Sequence, residues 1–178
     1  MRVAMQSRRL RWPTRLVGVG LTTAVAVGVA ASPAFAQTPG DPSGEAGVQP
    51  VLVPWTGGPP LCPDGTTGLR FEDPVAGETT QEVPGINASI TIDVSEVDGE
   101  PRLFDFNVEG QAAVTEVFVK GGGGNVAVQN LFHYPNGIVA DTLLHAPVNP
   151  NNNQLYGISH IDFCVKPDGY NPPPTNNT

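Results

Sequence analysis

The chain has 178 residues, of which 17 are acidic and 9 basic, for a formal charge of −8, and it holds two cysteines and three histidines. Charge of that sign repels nucleic acid and anionic membrane surfaces, so neither is expected as a partner. With the Pro- and Gly-rich ends set aside, about 105 residues remain, enough for one hydrophobic core and not for two.

Residues 1–36 read as a secretory signal peptide. Arg2, Arg8, Arg9, Arg11 and Arg15 form a basic head, and Leu16–Ala31 is an apolar run rich in small residues. Ser32-Pro33 then breaks the run, and Ala34-Phe35-Ala36 fits an A-x-A cleavage site. The run is short for a membrane span, which needs roughly 20 residues. The expectation is cleavage after Ala36 and a secreted, extracellular location. The general secretory route is favoured over the twin-arginine route at which Ser7-Arg8-Arg9 hints. Loss of the signal leaves Arg70, Arg102, Lys120 and Lys166 as the basic residues against all the acids.

Residues 37–60 are dense in Pro and Gly, with Val51-Leu52-Val53 and Trp55 as their only apolar patch. So little apolar surface does not offset the entropy of ordering, and the segment reads as a flexible arm. The domain proper is expected over 61–166. Leu69–Phe71 is its first short strand. Ile90, Ile92 and Val94 alternate with polar residues, as do Phe104, Phe106 and Val108, which marks two half-buried strands. Asp98-Gly99 between them is a strong hairpin signal. Val114–Val119 is apolar on both faces and belongs in a sheet interior, and Gly121–Gly124 ends it as a turn. Val126, Val128 and Phe132 share the apolar face of a further strand, with Asn130 the exception. Leu143–His145 is another short strand, Pro147–Gln154 a polar, turn-rich loop, and Gly157–Val165 the last strand. Residues 167–178 read as a Pro- and Asn-rich tail. Many short strands with no amphipathic helix predict a small antiparallel β-sandwich, with a partly open β-barrel as the alternative.

An exported chain meets an oxidising compartment, so Cys62 and Cys164 are expected to form one disulfide. Closing a loop of about 100 residues contributes roughly 4–5 kcal/mol in chain-entropy terms. In the last strand Ile161, Phe163 and Val165 share the core face, and His160, Asp162 and Cys164 the other. The bridge would then hold the segment around Cys62 over His160 and Asp162, about 7 Å apart at the backbone. As a functional pair they would tune a site. As structural groups they would hydrogen-bond the segment crossing above them, which is the favoured reading. Ser159 is expected on the opposite face, away from any Ser-His-Asp arrangement. His133, His145 and His160 lack the close spacings of a zinc site. Neither Asp98 with Glu100 nor Glu72 with Asp73 has a calcium-loop pattern around it. No metal, no cofactor and no catalytic residue is assigned. His160, Asp162, His145 and Tyr156 are the candidate binding residues. Tyr156 and Tyr134 enter because amide-rich loops beside tyrosines stack and hydrogen-bond sugars.

Four blocks in order, Cys62-Pro63-Asp64-Gly65, Val117-Phe118-Val119-Lys120-Gly121-Gly122, Asp141-Thr142-Leu143-Leu144-His145-Ala146-Pro147 and Gly157–Cys164, resemble a type of small exported bacterial β domain of unknown function. Here Gly123-Gly124 is extra in the glycine loop. The resemblance implies an extracellular domain, often attached to other surface modules, and brings no catalytic residues with it. The leading expectation is a non-enzymatic interaction or adhesion domain of the cell envelope or matrix, whose partner is a surface polymer or another protein. The alternatives are a small carbohydrate-directed hydrolase using an acidic pair or His160 with Asp162, and a purely structural envelope component.

Overall fold

The computed structural model describes residues 38–122 and 126–167. The predicted signal peptide lies outside the described residues, as do Gly123 and Gly124 and the tail from Asp168 onward.

Eleven strands and no helix make up the described residues. The five-stranded sheet takes β1 (Val51–Pro54), β7 (Val128–Ile138), β6 (Ala112–Gly121), β11 (Ile158–Pro167) and β2 (Thr67–Glu72), in that order. The four-stranded sheet takes β3 (Gly77–Glu82), β4 (Ala88–Val97), β5 (Glu100–Gly110) and β8 (Ala140–His145). β9 (Val148–Asn149) and β10 (Gln154–Leu155) form a separate small hairpin. Every pairing is antiparallel. Both larger sheets keep two free edges, so the architecture is a sandwich and not a barrel.

The alternation of the sequence explains which faces meet. Ile90, Ile92, Phe104 and Phe106 of one sheet and Val117, Val119, Phe132, Ile161 and Phe163 of the other belong to one buried cluster. Phe163 holds the two layers together, meeting Phe106 edge-on at 5.3 Å and Phe104 at 6.4 Å between ring centroids. Burial of one such ring contributes about 1.5–3 kcal/mol. Asp98 and Gly99 turn the β4–β5 hairpin with φ of 56° and 77°, the pair of positive angles that Asp-Gly accepts readily. β6 lies between β7 and β11, as its two-sided apolar character requires. Cys62 and Cys164 are bonded. The bond explains how consecutive strands β1 and β2 come to lie at opposite edges of one sheet: residues 55–62 cross its outer face and are stapled to β11 on the far side.

The reading of residues 37–60 as an arm is corrected from Thr38 onward. Val51–Pro54 is an edge strand on β7, with Val51 opposite Leu131 and Pro54 opposite Val128. Thr38 bridges Val148, and Gly44 N donates to Thr142 O at 2.7 Å. A turn at 43–48 is locked by Ser43 N to Val48 O and by Val48 N to Ser43 Oγ. The segment buries little apolar area, and what holds it is polar. Asn130 Nδ2 donates to Pro39 O, His145 Nε2 faces Asp41 O at 2.9 Å, and Asp141 Oδ1 accepts from Glu45 N and Ala46 N. We call residues 38–48 the strap.

Candidate functional site

The predicted site residues divide between two places. The first is the outer face of the five-stranded sheet, beneath the crossing segment. In register across it stand Glu72, His160 and Lys120, and next to them Arg70, Asp162 and Phe118. His160 and Asp162 share this face as expected, but they do not form a pair. Both carboxylate oxygens of Asp162 are taken by Arg70, from Nε at 2.6 Å and Nη2 at 2.8 Å. This bidentate ion pair raises Arg70 above its ordinary range.

Trp55 covers His160, with 5.9 Å between ring centroids, and Lys120 Nζ lies 5.0 Å over the same indole. Lys120 is buried and donates to Gly121 O at 2.7 Å; burial lowers its ammonium below the ordinary lysine range. Ser159 corrects its expectation. A register shift between Ile158 and His160 breaks the strict alternation, and Ser159 Oγ sits 3.4 Å from His160 Nδ1 while donating to Lys120 O. No relay follows from this contact, because Asp162 is committed to Arg70 and the imidazole lies beneath Trp55.

Burial first, and then the nearby Arg70 cation, hold His160 below its usual value of 6.5. His160 Nε2 is buried with no hydrogen-bond partner among the described residues. The unfolded chain takes up this proton near pH 6.5 and the folded chain only at lower pH, so the unfolded state binds more protons between the two values. Stability therefore falls as pH drops below 6.5 toward the lowered folded value. Urea titrations at pH 7 and pH 5 are expected to show this loss, and His160→Gln is expected to remove much of the slope. An unaltered slope in the variant would assign the acid sensitivity to other groups.

The second place is a groove of about 660 Å³ at one end of the sandwich, formed by the strap, β5, β8 and the β9–β10 hairpin. Leu103, Leu143, Val148 and Leu155 supply its aliphatic lining, and Thr38, Asp41 and Asn153 are its polar residues beside His145. His145 is buried in the wall. Its ring packs edge-on to Phe132 at 5.8 Å, with Nδ1 2.8 Å from Ala146 O and Nε2 2.9 Å from Asp41 O. A neutral imidazole has one N–H: on Nε2 it donates to Asp41 O and holds the strap, leaving Nδ1 to accept from Asn130 Nδ2 at 3.4 Å. Leu143 is strained: it has φ of 56°, a conformation costly for a bulky side chain, yet its side chain is half exposed. The strain comes from a bulge in which Thr142 and Leu143 together oppose Asp105, and Asp105 Oδ1 accepts from Leu143 N at 2.8 Å.

The tyrosines are not poised for stacking. Tyr134 is buried and donates to Asp141 Oδ2 at 2.6 Å; burial, and then Asp141, push its hydroxyl well above the ordinary range. Tyr156 packs against the core and closes on Gly122, whose φ of 75° and lack of a Cβ permit the approach. The amides of the 147–154 loop are largely spent on their own turn, with Asn149 Oδ1 accepting from Asn151 N and Asn152 Oδ1 from Gln154 N. His133 is exposed beside Glu116. Among the described residues no three His, Cys, Asp or Glu side chains gather as a metal site.

The groove escaped the sequence reading because its lining comes from four separate stretches. The one trace was Asn130, a buried amide on an apolar face that turns out to anchor the strap. Compared with protein-family models, with curated proteins and with solved structures, the chain finds no match in any of the three.

Proposed function

We propose that the chain is a secreted, non-enzymatic interaction domain of the cell envelope or extracellular matrix, and that it binds its partner in the groove beside the strap. The observation that carries this reading is the groove itself: an open, aliphatic concavity whose wall presents Leu143 at a cost in backbone strain. The acid–base candidates support binding over turnover: His145 is buried and faces Asp41 O, Asp162 is bound by Arg70, and His160 is covered by Trp55. The signal-like first 36 residues and the disulfide support an extracellular place of action.

The test is to incubate the oxidised protein with cell-wall and matrix polymers and envelope proteins, measuring both retention and product release. Saturable retention is expected, unchanged by His160→Ala and reduced at least tenfold by Leu155→Ser. Product formation abolished by His160→Ala would instead establish the hydrolase.

A further inference from the structure

The groove's surroundings narrow the chemistry of what it takes, an assignment that rests on the interaction reading above. Its lining is mainly aliphatic, and the only aromatic ring in it, His145, is buried, so the groove offers no flat aromatic platform for a sugar face. Leucine and valine side chains fit such a surface through dispersion and exclusion of water.

One acidic group lines it and others lie near it. Asp41 is in the lining, and Asp105 lies directly behind Leu143. Asp98 and Glu100, at the β4–β5 hairpin tip, lie against the next stretch of chain: Asp98 Oδ2 is within reach of Gln154 Nε2, and Glu100 lies against Gly157. Arg102 beside them donates to the neutral Gln154 Oε1, so its charge offsets part of theirs. One wall is β8, whose outer edge the strap already takes at Thr142, so a ligand there meets side chains and not a free strand edge.

We infer that the groove is a docking site for a peptide segment in which aliphatic side chains alternate with lysine or arginine. The aliphatic residues enter between Leu103, Leu143, Val148 and Leu155, and the cations face these acidic groups. Leu143 sets the affinity, and its strained backbone is the cost the fold carries to present it. This separates binding from stability at a single residue. Glycine accepts φ of 56° without steric strain, and that relief offsets the chain entropy and packing lost, so Leu143→Gly is expected to leave Tm within about 3 °C of the parent while removing the contact that the ligand uses.

The probes are three capped peptides, Lys-Leu-Lys-Leu-Lys, Glu-Leu-Glu-Leu-Glu and Lys-Ser-Lys-Ser-Lys, titrated into isotope-labelled oxidised protein and followed by NMR. The first is expected to shift resonances of Leu103, Leu143, Val148 and Leu155, and to bind several-fold more weakly when salt is raised from 50 to 300 mM. It is expected to bind at least tenfold more weakly to Leu143→Gly and to Leu155→Ser. Equal shifts with the acidic or the serine peptide, or none with any, would overturn the assignment. So would a Leu143→Gly protein that binds as before. If Leu155→Ser loses retention on envelope material while the lysine–leucine peptide leaves the groove unshifted, the interaction reading stands and the cationic ligand falls. If Leu155→Ser changes neither, both fall.

Discussion

Removing residues 38–53 is expected to lower the stability of the domain by about 3–5 kcal/mol, read as a fall in both Tm and the denaturant midpoint. The magnitude comes from what the segment leaves behind. Asp141 Oδ1 loses Glu45 N and Ala46 N and keeps Thr142 N, and Asn130 loses the carbonyl of Pro39. The His145 ring loses that of Asp41. All three side chains are buried, and each stranded polar group costs about 1–3 kcal/mol where water does not reach it. The β7 edge loses its pairing with β1 as well. Two point changes separate this account from a general effect of truncation. A methyl group at Gly40 would lie 2.4 Å from His145 Cε1, and one at Gly44 2.4 Å from Thr142 Oγ1. Gly40→Ala and Gly44→Ala are therefore each expected to cost about 1–3 kcal/mol, whereas alanine in a free arm costs nothing. A truncated protein that melts with the parent would make the strap an ornament and the groove wall dispensable.

That expectation reverses what the composition of the same segment implies, and the reason is physical. Pro and Gly density signals low apolar burial, and the strap buries little apolar surface. It is attached by side chains of other strands reaching its backbone, which composition does not register. Gly40 and Gly44 are present for closeness, although in sequence they look like freedom. The recipients were half visible: Asn130 as a polar residue on an apolar face, and His145 and Asp141 within a strand too short to show a period. By contrast, β4, β5, β6 and β11 were readable because a sheet with a buried face imposes a period of two, or a continuous apolar run where both faces are covered. The favoured expectation, that His160 and Asp162 hydrogen-bond the segment crossing above them, is not met, for a related reason. Strand alternation places side chains on a face but does not say which neighbour across the ladder claims them. Arg70, directly opposite Asp162 on β2, was the stronger claimant.

Replacing both Cys62 and Cys164 with alanine is expected to have the largest effect, a loss of about 4–5 kcal/mol, because the bridge closes a loop of 102 residues in the unfolded chain. A loss of that size is a large part of a small domain's stability. The native state should change locally too. Residues 55–62 cross the outer face with β1 at one end and the disulfide at the other, and without the staple only the β1 end is fixed. Trp55 would then lift from Lys120 and His160, letting water reach the indole and the imidazole. Two signals follow beside the fall in Tm. Trp55 is the only tryptophan after residue 36, so in protein that begins at residue 37 its emission should shift to the red under native conditions. His160, once solvated, should lose the desolvation that opposes its protonation, and the stability lost between pH 7 and pH 5 should shrink as it does in His160→Gln. These outcomes are linked, because one covering segment produces all of them. A double-alanine protein that loses stability but keeps buried Trp55 emission and the full acid slope would show that the bridge acts on the unfolded chain alone, and that β1 and the sheet suffice to hold the cover in place.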